Sequence, residues 1–453
     1  MKRSDFSLVM LFIAIAALAA CGPLEEEQNP IAVPTVDGAS ATQQISELQT
    51  AAAAPPATSA AEPGSMTTGE ALSELTDSIL WTRQFGTSLT DEIGDVILDQ
   101  LGNVFVTCLC SLGSPQPFDS PFTPSGAQVV GRAPTVLKFN EDGHLAWQIG
   151  LDTGSFSPDA PVATVDNAGN LISAVSDYVD QFSLLVKNDG DGNEVWKVTL
   201  QGIAINDVAT DLDGDIYIVG REWLSSDTRP RSYLRKFDGD GQALWVLSLD
   251  SENAEVNGLT VQVHVSPNGK VLVAGSMWGD MPGATSLGGA DMFIRGYTLV
   301  GEEVWTRQFG SARDDYIQDA AIDVAASIYA VYENGQPVLE KFDDSGEPVW
   351  SKQLERPGTD WARLAVDNDE NLYVLLNHNW PGDPSDAELR RFDAMGIVIW
   401  TRGFPAAWPA IVELIAIDSN GHVYLGGGTV GALPGQTDSG NYDVFILMME
   451  IAE

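Results

Sequence analysis

The stretch Trp81-Thr-Arg-Gln-Phe-Gly86 recurs letter for letter as Trp305-Thr-Arg-Gln-Phe-Gly310, and Trp400-Thr-Arg-Gly-Phe404 is a near copy. Tryptophan marks the same place in seven copies of a longer phrase, at Trp81, Trp147, Trp196, Trp245, Trp305, Trp350 and Trp400. The copies are spaced by roughly 45–66 residues, which is the length of one repeated supersecondary unit. The sequence is therefore a repeat protein.

Each copy is predicted to form four short strands. Apolar runs of four to seven residues alternate with Asp-x-x-Gly turns such as Asp99-Gln-Leu-Gly102 and Asp418-Ser-Asn-Gly421, and such glycines supply the positive φ of tight hairpins. Helical periodicity is nearly absent between residues 79 and 453. A four-stranded sheet with two apolar faces must be covered by its neighbours on both sides, so the units must stack radially. The fold predicted is all-β, a seven-bladed β-propeller of four-stranded antiparallel blades.

The two ends of the repeat region complement each other. The strand from Ile79 to Phe85 has no unit before it, and the unit ending with Asp443 to Ile451 has no tryptophan strand after it. We expect these segments to pair, so that the N-terminal strand closes the last blade and removes the exposed ends of the stack. The predicted blade starts are near Glu92, Val162, Asp207, Val261, Asp319, Leu364 and Val412.

The residues before the repeats indicate export. Lys2 and Arg3 precede an apolar run from Leu8 to Ala20, which is typical of a signal peptide and too short for a stable membrane span. Leu18-Ala-Ala-Cys21 resembles the bacterial lipobox, which implies a signal peptide over 1–20, lipidation of Cys21 and, with Gly22 next, anchoring to the outer membrane. Residues 21–78 form an Ala/Pro/Ser/Thr-rich stretch with too little apolar surface to fold, and we expect a disordered tether. The propeller then occupies 79–453.

At the level of family, the repeat phrase resembles the SBBP family of seven-bladed propeller repeats. The resemblance rests on Trp-Thr-Arg-Gln-Phe-Gly with the later Asp-Asp-Tyr, on the Asp-x-x-Gly-Asn turns, and on Gly288-Gly-Ala-Asp291 and Asp443-Val-Phe. It implies a propeller on a bacterial envelope protein and no particular reaction. Asp343-Asp-Ser-Gly346-Glu-Pro-Val-Trp350 is more weakly similar to the tryptophan-docking motif of quinoprotein dehydrogenases, which usually have eight blades and an adjacent cysteine pair.

Cys108 and Cys110 are two residues apart rather than adjacent. On an extended strand their side chains point the same way, with Cα atoms near the upper limit for a disulfide bond. We expect partly buried free thiols; a strained disulfide or a metal pair are the alternatives.

The charge balance narrows the range of partners. The chain has 64 acidic and 23 basic residues and a formal net charge of −41. Such a surface repels nucleic acid and anionic lipid surfaces, so neither is an expected partner of the folded domain. Solubility alone is a sufficient reason for it, and cationic ligands are compatible with it. We expect a monomer that is held at the membrane by its lipid.

The inner strands of a propeller line an axial channel. The positions four residues before each turn aspartate should therefore converge, and they are Asp95, Val162, Asp207, Gln262, Asp319, Arg363 and Leu414. Three carboxylates, an amide and a guanidinium could bind a metal cation, with Asp95, Asp207 and Asp319 as ligands, or a polar ligand. The carboxylates could equally accept hydrogen bonds from backbone N–H groups of adjoining blades, which repetition favours.

Two further sets of residues are candidates. The loops around Asp211-Leu-Asp-Gly-Asp215 and Asp189-Gly-Asp-Gly-Asn193 place oxygen ligands as calcium loops do, but hairpin turns explain the same spacing with fewer assumptions. No cofactor is expected, and calcium is the alternative. Tryptophans outside the repeat position are candidates for glycan or protein contacts or for packing between blades, and they are Trp223, Trp278, Trp361, Trp380 and Trp408.

Catalytic motifs are absent from the sequence. The four histidines have no His-Glu-x-x-His spacing, and there is no Gly-x-Ser-x-Gly motif. The leading hypothesis is a non-enzymatic envelope lipoprotein that binds a protein or a polysaccharide. The alternatives are a propeller enzyme that acts on sugars or lactones with a metal in the axial channel, and an outer-membrane assembly factor.

Overall fold

The computed structural model describes the repeat region with gaps. The described residues are 78–110, 133–151, 153, 158–223, 230–250, 254–281, 283–333, 336–355, 361–377, 387–404 and 410–451, without the side chains of 254–260. Within these residues no helix is long and apolar enough to cross a membrane. The tether, Cys21, Trp380 and Trp408 lie outside them.

Twenty-eight strands make up the described chain. Those of the first half are β1 (Ile79–Phe85), β2 (Glu92–Leu98), β3 (Val104–Cys110), β4 (Ala133–Phe139), β5 (Leu145–Gly150), β6 (Val162–Val165), β7 (Leu171–Asp177), β8 (Phe182–Asn188), β9 (Glu194–Gln201), β10 (Ile203–Thr210), β11 (Ile216–Glu222), β12 (Arg231–Phe237), β13 (Ala243–Ser248) and β14 (Ala254–Val265). Those of the second half are β15 (Lys270–Gly279), β16 (Ala290–Thr298), β17 (Glu303–Phe309), β18 (Tyr316–Ile322), β19 (Ile328–Glu333), β20 (Pro337–Phe342), β21 (Pro348–Gln353), β22 (Trp361–Val366), β23 (Leu372–Asn377), β24 (Glu388–Phe392), β25 (Val398–Gly403), β26 (Ala410–Ile417), β27 (Val423–Thr429) and β28 (Asp443–Met449).

These strands form seven four-stranded antiparallel sheets. Blades 1 to 6 are β2–β5, β6–β9, β10–β13, β14–β17, β18–β21 and β22–β25, and blade 7 has the order β26-β27-β28-β1. The predicted fold class is confirmed, and so is the closure: β1 pairs with β28 from Ile79↔Met449 to Phe85↔Val444. Five inner strands begin several residues earlier than predicted, because in most of them pairing continues on the N-terminal side of a β-bulge.

Burial differs between the middle and the outer strands of a blade. The second strand β3 is buried at every position, whereas the outer strand β13 alternates between exposed and half-buried positions. A strand that is covered on both faces by neighbouring blades reads as a continuous apolar run, and an outer strand that solvent reaches alternates. The core is accordingly a set of clusters between successive blades, such as the one that joins Phe85 and Val444 of blade 7 to Val106 and Phe139 of blade 1.

The repeated tryptophan forms a hydrogen bond from one blade to the next at five of its seven positions. Trp147 on the outer strand of blade 1 donates its indole N–H to the carbonyl of Gly190 in the outer hairpin of blade 2, at 3.1 Å. Its ring lies against Gly192 of that hairpin, which has φ 87°, and a Cβ there would approach the ring to 3.1 Å. Trp196, Trp305, Trp350 and Trp81 make the equivalent bond to the following blade. The tryptophan and the turn glycine recur at a regular spacing because they form a contact between adjacent blades.

The Asp-x-x-Gly phrases are hairpin turns. Asp99 Oδ1 accepts the N–H groups of Leu101 and Asn103, and Asp211 makes the same contacts in blade 3. The Lys236 ammonium lies 3.3 Å from Asp211 Oδ2 and 2.8 Å from Asp215 Oδ2. The carboxylates of the loop compared with calcium sites are thus used for the turn and for a buried ion pair.

Cys108 and Cys110 are joined by a disulfide bond, with Cα atoms 5.5 Å apart. The expectation of free thiols is wrong. The separation lies inside the usual range for a disulfide, so residues two apart on one face of a strand can be bridged here. Both side chains are buried between blades 7 and 1.

Candidate functional site

The inner strands surround an axial cavity of about 830 Å³. All seven positions expected to converge line it, namely Asp95, Val162, Asp207, Gln262, Asp319, Arg363 and Leu414. They share one level because each pairs with the equivalent residue of the second strand, as Asp95 does with Thr107 and Asp319 with Val331. This cavity is the candidate functional site.

β-Bulges add two side chains to the cavity wall. The register shifts in blades 3, 5 and 7 occur between Ile205 and Asp207 and at the matching places, so Asn206, Gln318 and Glu413 have no residue opposite them in the second strand. A bulge re-aims the side chain of the residue it inserts. Asn206 and Gln318 line the cavity as a result. The sequence phrase contained these residues, but their role depends on the bulge and was not predicted.

Each of the three aspartates joins two blades. One carboxylate oxygen accepts the N–H of the next residue in its own strand, at 2.8–2.9 Å. The other oxygen accepts an N–H from the next blade: Asp95 from Ala163 at 3.3 Å, Asp207 from Val263 at 2.8 Å and Asp319 from Leu364 at 2.7 Å. The backbone hydrogen bonds of the structural alternative stated from the sequence are thus present at all three carboxylates.

Burial raises the pKa of two of these carboxyl groups. Desolvation is the largest cause for both, and it brings the pKa of Asp95 to about 6 and the pKa of Asp207 to about 7. Hydrogen bonds from Ala163 and Val263 act in the opposite direction, and repulsion between the aspartates adds to the rise. Both groups therefore titrate near neutral pH.

Neutral groups supply the unused hydrogen-bonding capacity of the cavity. Gln262 donates to Asp319 Oδ1 at 2.8 Å, and its own Oε1 is buried without a donor. Asn206 Oδ1 and His264 Nε2 are likewise buried without a partner. Desolvation lowers the pKa of His264, so this ring is neutral at physiological pH. Arg363 supplies a cationic donor, which here contacts the carbonyl groups of Gln318 and Ala362 at 3.2 Å.

An aromatic cluster lies next to Asn206. The guanidinium of Arg221 is 5.3 Å from the ring centre of Tyr178 and 5.6 Å from that of Trp223, and the two rings meet edge to face at 6.1 Å. The Tyr178 hydroxyl contacts both Arg221 and Asn206. Burial, followed by repulsion from Glu92, raises the pKa of Asp159 beside this cluster. Only Trp223 was singled out from the sequence, although Arg221 lies two residues before it at the end of β11; Tyr178 comes from blade 2.

The remaining aromatic candidates do not gather at the cavity. Trp278 lies at the end of β15 and is 40% exposed. Trp361 begins β22 and is half-buried. His422, one of the histidines, is held in a hairpin turn by Asp418 at 2.7 Å. These residues therefore form no common site with the cavity among the described residues.

Comparison with known proteins supports the fold and leaves the family open. No family model matches the chain. The regulatory protein FlaEY of Caulobacter vibrioides is 26% identical over 197 residues, covering 41% of this chain and 19% of FlaEY. The chain thus spans about a fifth of the length of that relative.

Solved structures with a similar fold have diverse activities. A puromycin hydrolase superposes with a TM-score of 0.50 at 16% identity, covering 79% of this chain and 52% of the hydrolase. The propeller domain of the Trilobed protease from Pyrococcus furiosus gives a TM-score of 0.47 at 10% identity, covering 81% and 97%. BamB from Moraxella catarrhalis gives 0.41 at 11% identity, covering 81% and 93%. These likenesses are to a β-propeller scaffold that serves many purposes.

Proposed function

We propose that the protein is a bacterial cell-envelope lipoprotein that binds a polysaccharide in its axial cavity and is not an enzyme. The observation that carries the proposal is the set of neutral polar atoms left without partners there, Asn206 Oδ1, Gln262 Oε1 and His264 Nε2. Buried polar atoms of this kind need a hydrogen-bond partner, which water or a ligand in the cavity can supply. Hydroxyl groups of a sugar, which donate and accept, are suited to all three.

The surroundings of these atoms support the same ligand. The cavity volume of about 830 Å³ falls within the usual range for small-ligand sites. Tyr178 contacts Asn206 through its hydroxyl group, and Trp223 packs edge to face on Tyr178, so an aromatic pair lies behind Asn206 and outside the cavity wall. The net charge of −41 disfavours anionic polymers, so the preferred polysaccharide would be neutral or cationic.

The three aspartates are engaged by the fold. Both carboxylate oxygens of Asp95, Asp207 and Asp319 accept backbone N–H groups, one from their own strand and one from the next blade. The role that we assign to these groups is to hold adjacent blades in register around the ligand.

A sugar- or lactone-acting enzyme is the second candidate, since a pKa of about 7 for Asp207 lies in the range useful for acid–base chemistry. An envelope assembly factor is the third. Metal analysis together with turnover of sugar and lactone substrates would favour the enzyme if both were positive. Retention of outer-membrane proteins in an envelope pull-down would favour assembly.

The experiment that tests the proposal is a binding screen of the purified protein against fractionated envelope polysaccharides. Asn206→Ala and Gln262→Ala should each weaken binding about five- to tenfold, the effect of one lost hydrogen bond of roughly 1 kcal/mol. Gln242→Ala is the matched control, because Gln242 is exposed in an outer hairpin. Equal binding by all variants, or retention of envelope proteins in place of polysaccharides, would reject the cavity as a polysaccharide site.

The location is part of the same proposal. Lipidation at Cys21 places the protein on the membrane, with the outer membrane as the expected address. Metabolic labelling with radioactive palmitate should mark the wild-type chain and leave Cys21→Ala unlabelled. An unlabelled wild-type chain in the soluble periplasmic fraction would contradict it.

A further inference from the structure

Blade 2 has an asparagine at a position where five other blades have an aromatic ring. The position is the end of the third strand, just before the outer hairpin turn. Asn188 pairs there with Leu171, as Phe139 pairs with Val104 in blade 1. The equivalent side chains of the other blades are 0–3% exposed, and they are Phe139, Phe237, Tyr297, Phe342, Phe392 and Met449. Blade 2 therefore lacks the large side chain that the repeat places there.

Where the ring is present, it packs against the preceding blade. The ring of Phe342 in blade 5 lies 5.3 Å from that of Phe309, which follows the repeated tryptophan of blade 4 by four residues. The matching residues between blades 1 and 2 are Asn188 and Leu151, and neither has a ring. Less side-chain volume is therefore present at this interface.

A pocket of about 240 Å³ lies at this interface. Apolar side chains of both blades form its walls, and they are Ile149, Leu151, Leu184 and Val186. Asn188 lies on the same wall as Leu184 and Val186, because alternate residues of β8 face blade 1. The pocket shares no residue with the axial cavity. An apolar cavity of about 150 Å³ is large enough to bind benzene, so a single ring fits here.

Asn188 supplies one polar atom to this pocket. Its side chain is 4% exposed, and its Nδ2 donates to the carbonyl of Gly192 at 3.2 Å. Only the nitrogen of an amide can donate to a carbonyl, so the orientation of the amide is fixed. The remaining atom, Oδ1, is buried and has no donor. A ligand that matches the pocket therefore has an apolar body and one hydrogen-bond donor.

Charge at the rim favours a neutral ligand. Lys197 and Glu194 also line the pocket, and their side chains are 42% and 52% exposed. The ammonium and the carboxylate lie 3.5 Å apart, so each compensates the charge of the other. The net charge of −41 disfavours a ligand that carries a carboxylate.

We propose that the pocket between blades 1 and 2 binds a phenol-type ring, which is a neutral aromatic ring with one hydroxyl group. The ring takes the place that phenylalanine fills in other blades, and its hydroxyl group donates to Asn188 Oδ1. A free phenol and the side chain of a tyrosine in another protein offer the same chemistry. The site is separate from the axial cavity and does not depend on the function proposed for that cavity.

The test is calorimetric titration of the purified full chain with p-cresol and with toluene, which has the same ring without the donor. We expect one p-cresol per wild-type chain and a five- to tenfold weaker affinity for toluene, the effect of about one lost hydrogen bond. Asn188→Leu keeps a side chain of similar size without the amide, so it should bind both compounds equally. Asn188→Phe should bind neither and should raise the melting temperature, because it restores the ring of the other blades.

A matched control adds the same ring outside the pocket. Val195→Phe changes a residue of β9 that is 56% exposed, and it should bind p-cresol as the wild type does. A peptide with a single tyrosine distinguishes the sources: its binding at the same site assigns the pocket to a protein partner, and binding of p-cresol alone assigns it to a small molecule.

Three results would overturn the proposal. The first is a wild-type chain that binds no p-cresol at millimolar concentration, which would leave the pocket to water. The second is equal affinity of the wild type and Asn188→Phe for p-cresol, which would place the ring elsewhere. The third is equal affinity of the wild type for p-cresol and toluene, which would remove the role of Asn188 Oδ1.

Discussion

Ring closure can be tested at one side chain. Phe85 of the closing strand β1 is 6% exposed, and its ring lies 5.9 Å from that of Phe139 in blade 1. It therefore fills the interface between the last blade and the first. Removing a buried phenylalanine ring typically costs about 3–5 kcal/mol, and Phe85→Ala should lower the free energy of unfolding by that amount.

The assay is equilibrium unfolding in urea, followed by tryptophan fluorescence and circular dichroism. Leu80→Ala is the matched control in the same strand, because Leu80 is 50% exposed and should change stability by less than about 0.5 kcal/mol. Both signals should shift together, and deletion of 79–86 should abolish the cooperative transition. A Phe85→Ala protein as stable as wild type, or one in which β1 alone loses hydrogen-exchange protection, would refute closure as the lock of the ring.

Three further outcomes follow from the contacts. The folded pKa values of Asp95, about 6, and Asp207, about 7, exceed the unfolded value, so stability should fall as pH rises from about 4 to 7. Asp207→Asn should remove the contribution of Asp207, at most roughly 4 kcal/mol because solvent reaches the cavity, and leave that of Asp95. In urea unfolding, Lys236→Met should cost about 3–5 kcal/mol by leaving buried aspartates unpaired, whereas the exposed Lys270→Met should cost under about 1 kcal/mol. Trp147→Phe removes the indole hydrogen bond to blade 2 and should lower the free energy of unfolding by about 1 kcal/mol, whereas Trp400→Phe has no such bond to lose and should lower it less. Thermal unfolding measures both, and equal losses would contradict a stabilising role of this bond between blades.

Trp400 occupies the repeated tryptophan position but lacks the hydrogen bond that the repeat predicts. Its indole N–H is buried without an acceptor, unlike that of Trp147. For five of the other tryptophans the acceptor is a carbonyl of the hairpin between the third and fourth strands of the next blade. Blade 7 has no such hairpin, because its third strand β28 and fourth strand β1 come from opposite ends of the chain. The sequence predicts the closure, and the missing acceptor for Trp400 is a consequence of it.

The fold was predictable because its signals are local and repeated. Alternation within strands, Asp-x-x-Gly turns and the regular tryptophans each report on a short stretch, and their agreement over seven copies fixes the blade count. The bounds of β1 follow for the same reason. The Cys108–Cys110 bond was only an alternative in the sequence analysis, because the Cα separation was expected to lie near the upper limit for a disulfide, whereas it is 5.5 Å.

The site was predictable only in part. The seven converging positions follow from equivalence between blades, and the structure places all of them on one cavity. Which groups keep free hydrogen-bonding capacity there depends on bulges and on neighbours in other blades. Asn206 is aimed by a bulge, and Arg221 and Tyr178 meet only because blades 2 and 3 are adjacent. No periodic signal in the sequence contains that information.

The side chains around the cavity are of two kinds, those that recur from blade to blade and those that differ between blades. Aspartate recurs at the converging position in blades 1, 3 and 5, and in each case it does the same work for the fold by bonding to the next blade. A residue that joins adjacent blades can be repeated, as this aspartate is in three of the seven, but a ligand is not seven-fold symmetric. Selectivity must then come from positions where the blades differ, which here are Gln262 and His264 of blade 4 and Arg363 of blade 6. Exchanging Gln262 for alanine should therefore change which ligand binds at a small cost to folding, the loss of its bond to Asp319, whereas exchanging Asp319 for alanine should weaken folding more, because the bond from Leu364 of the next blade is lost.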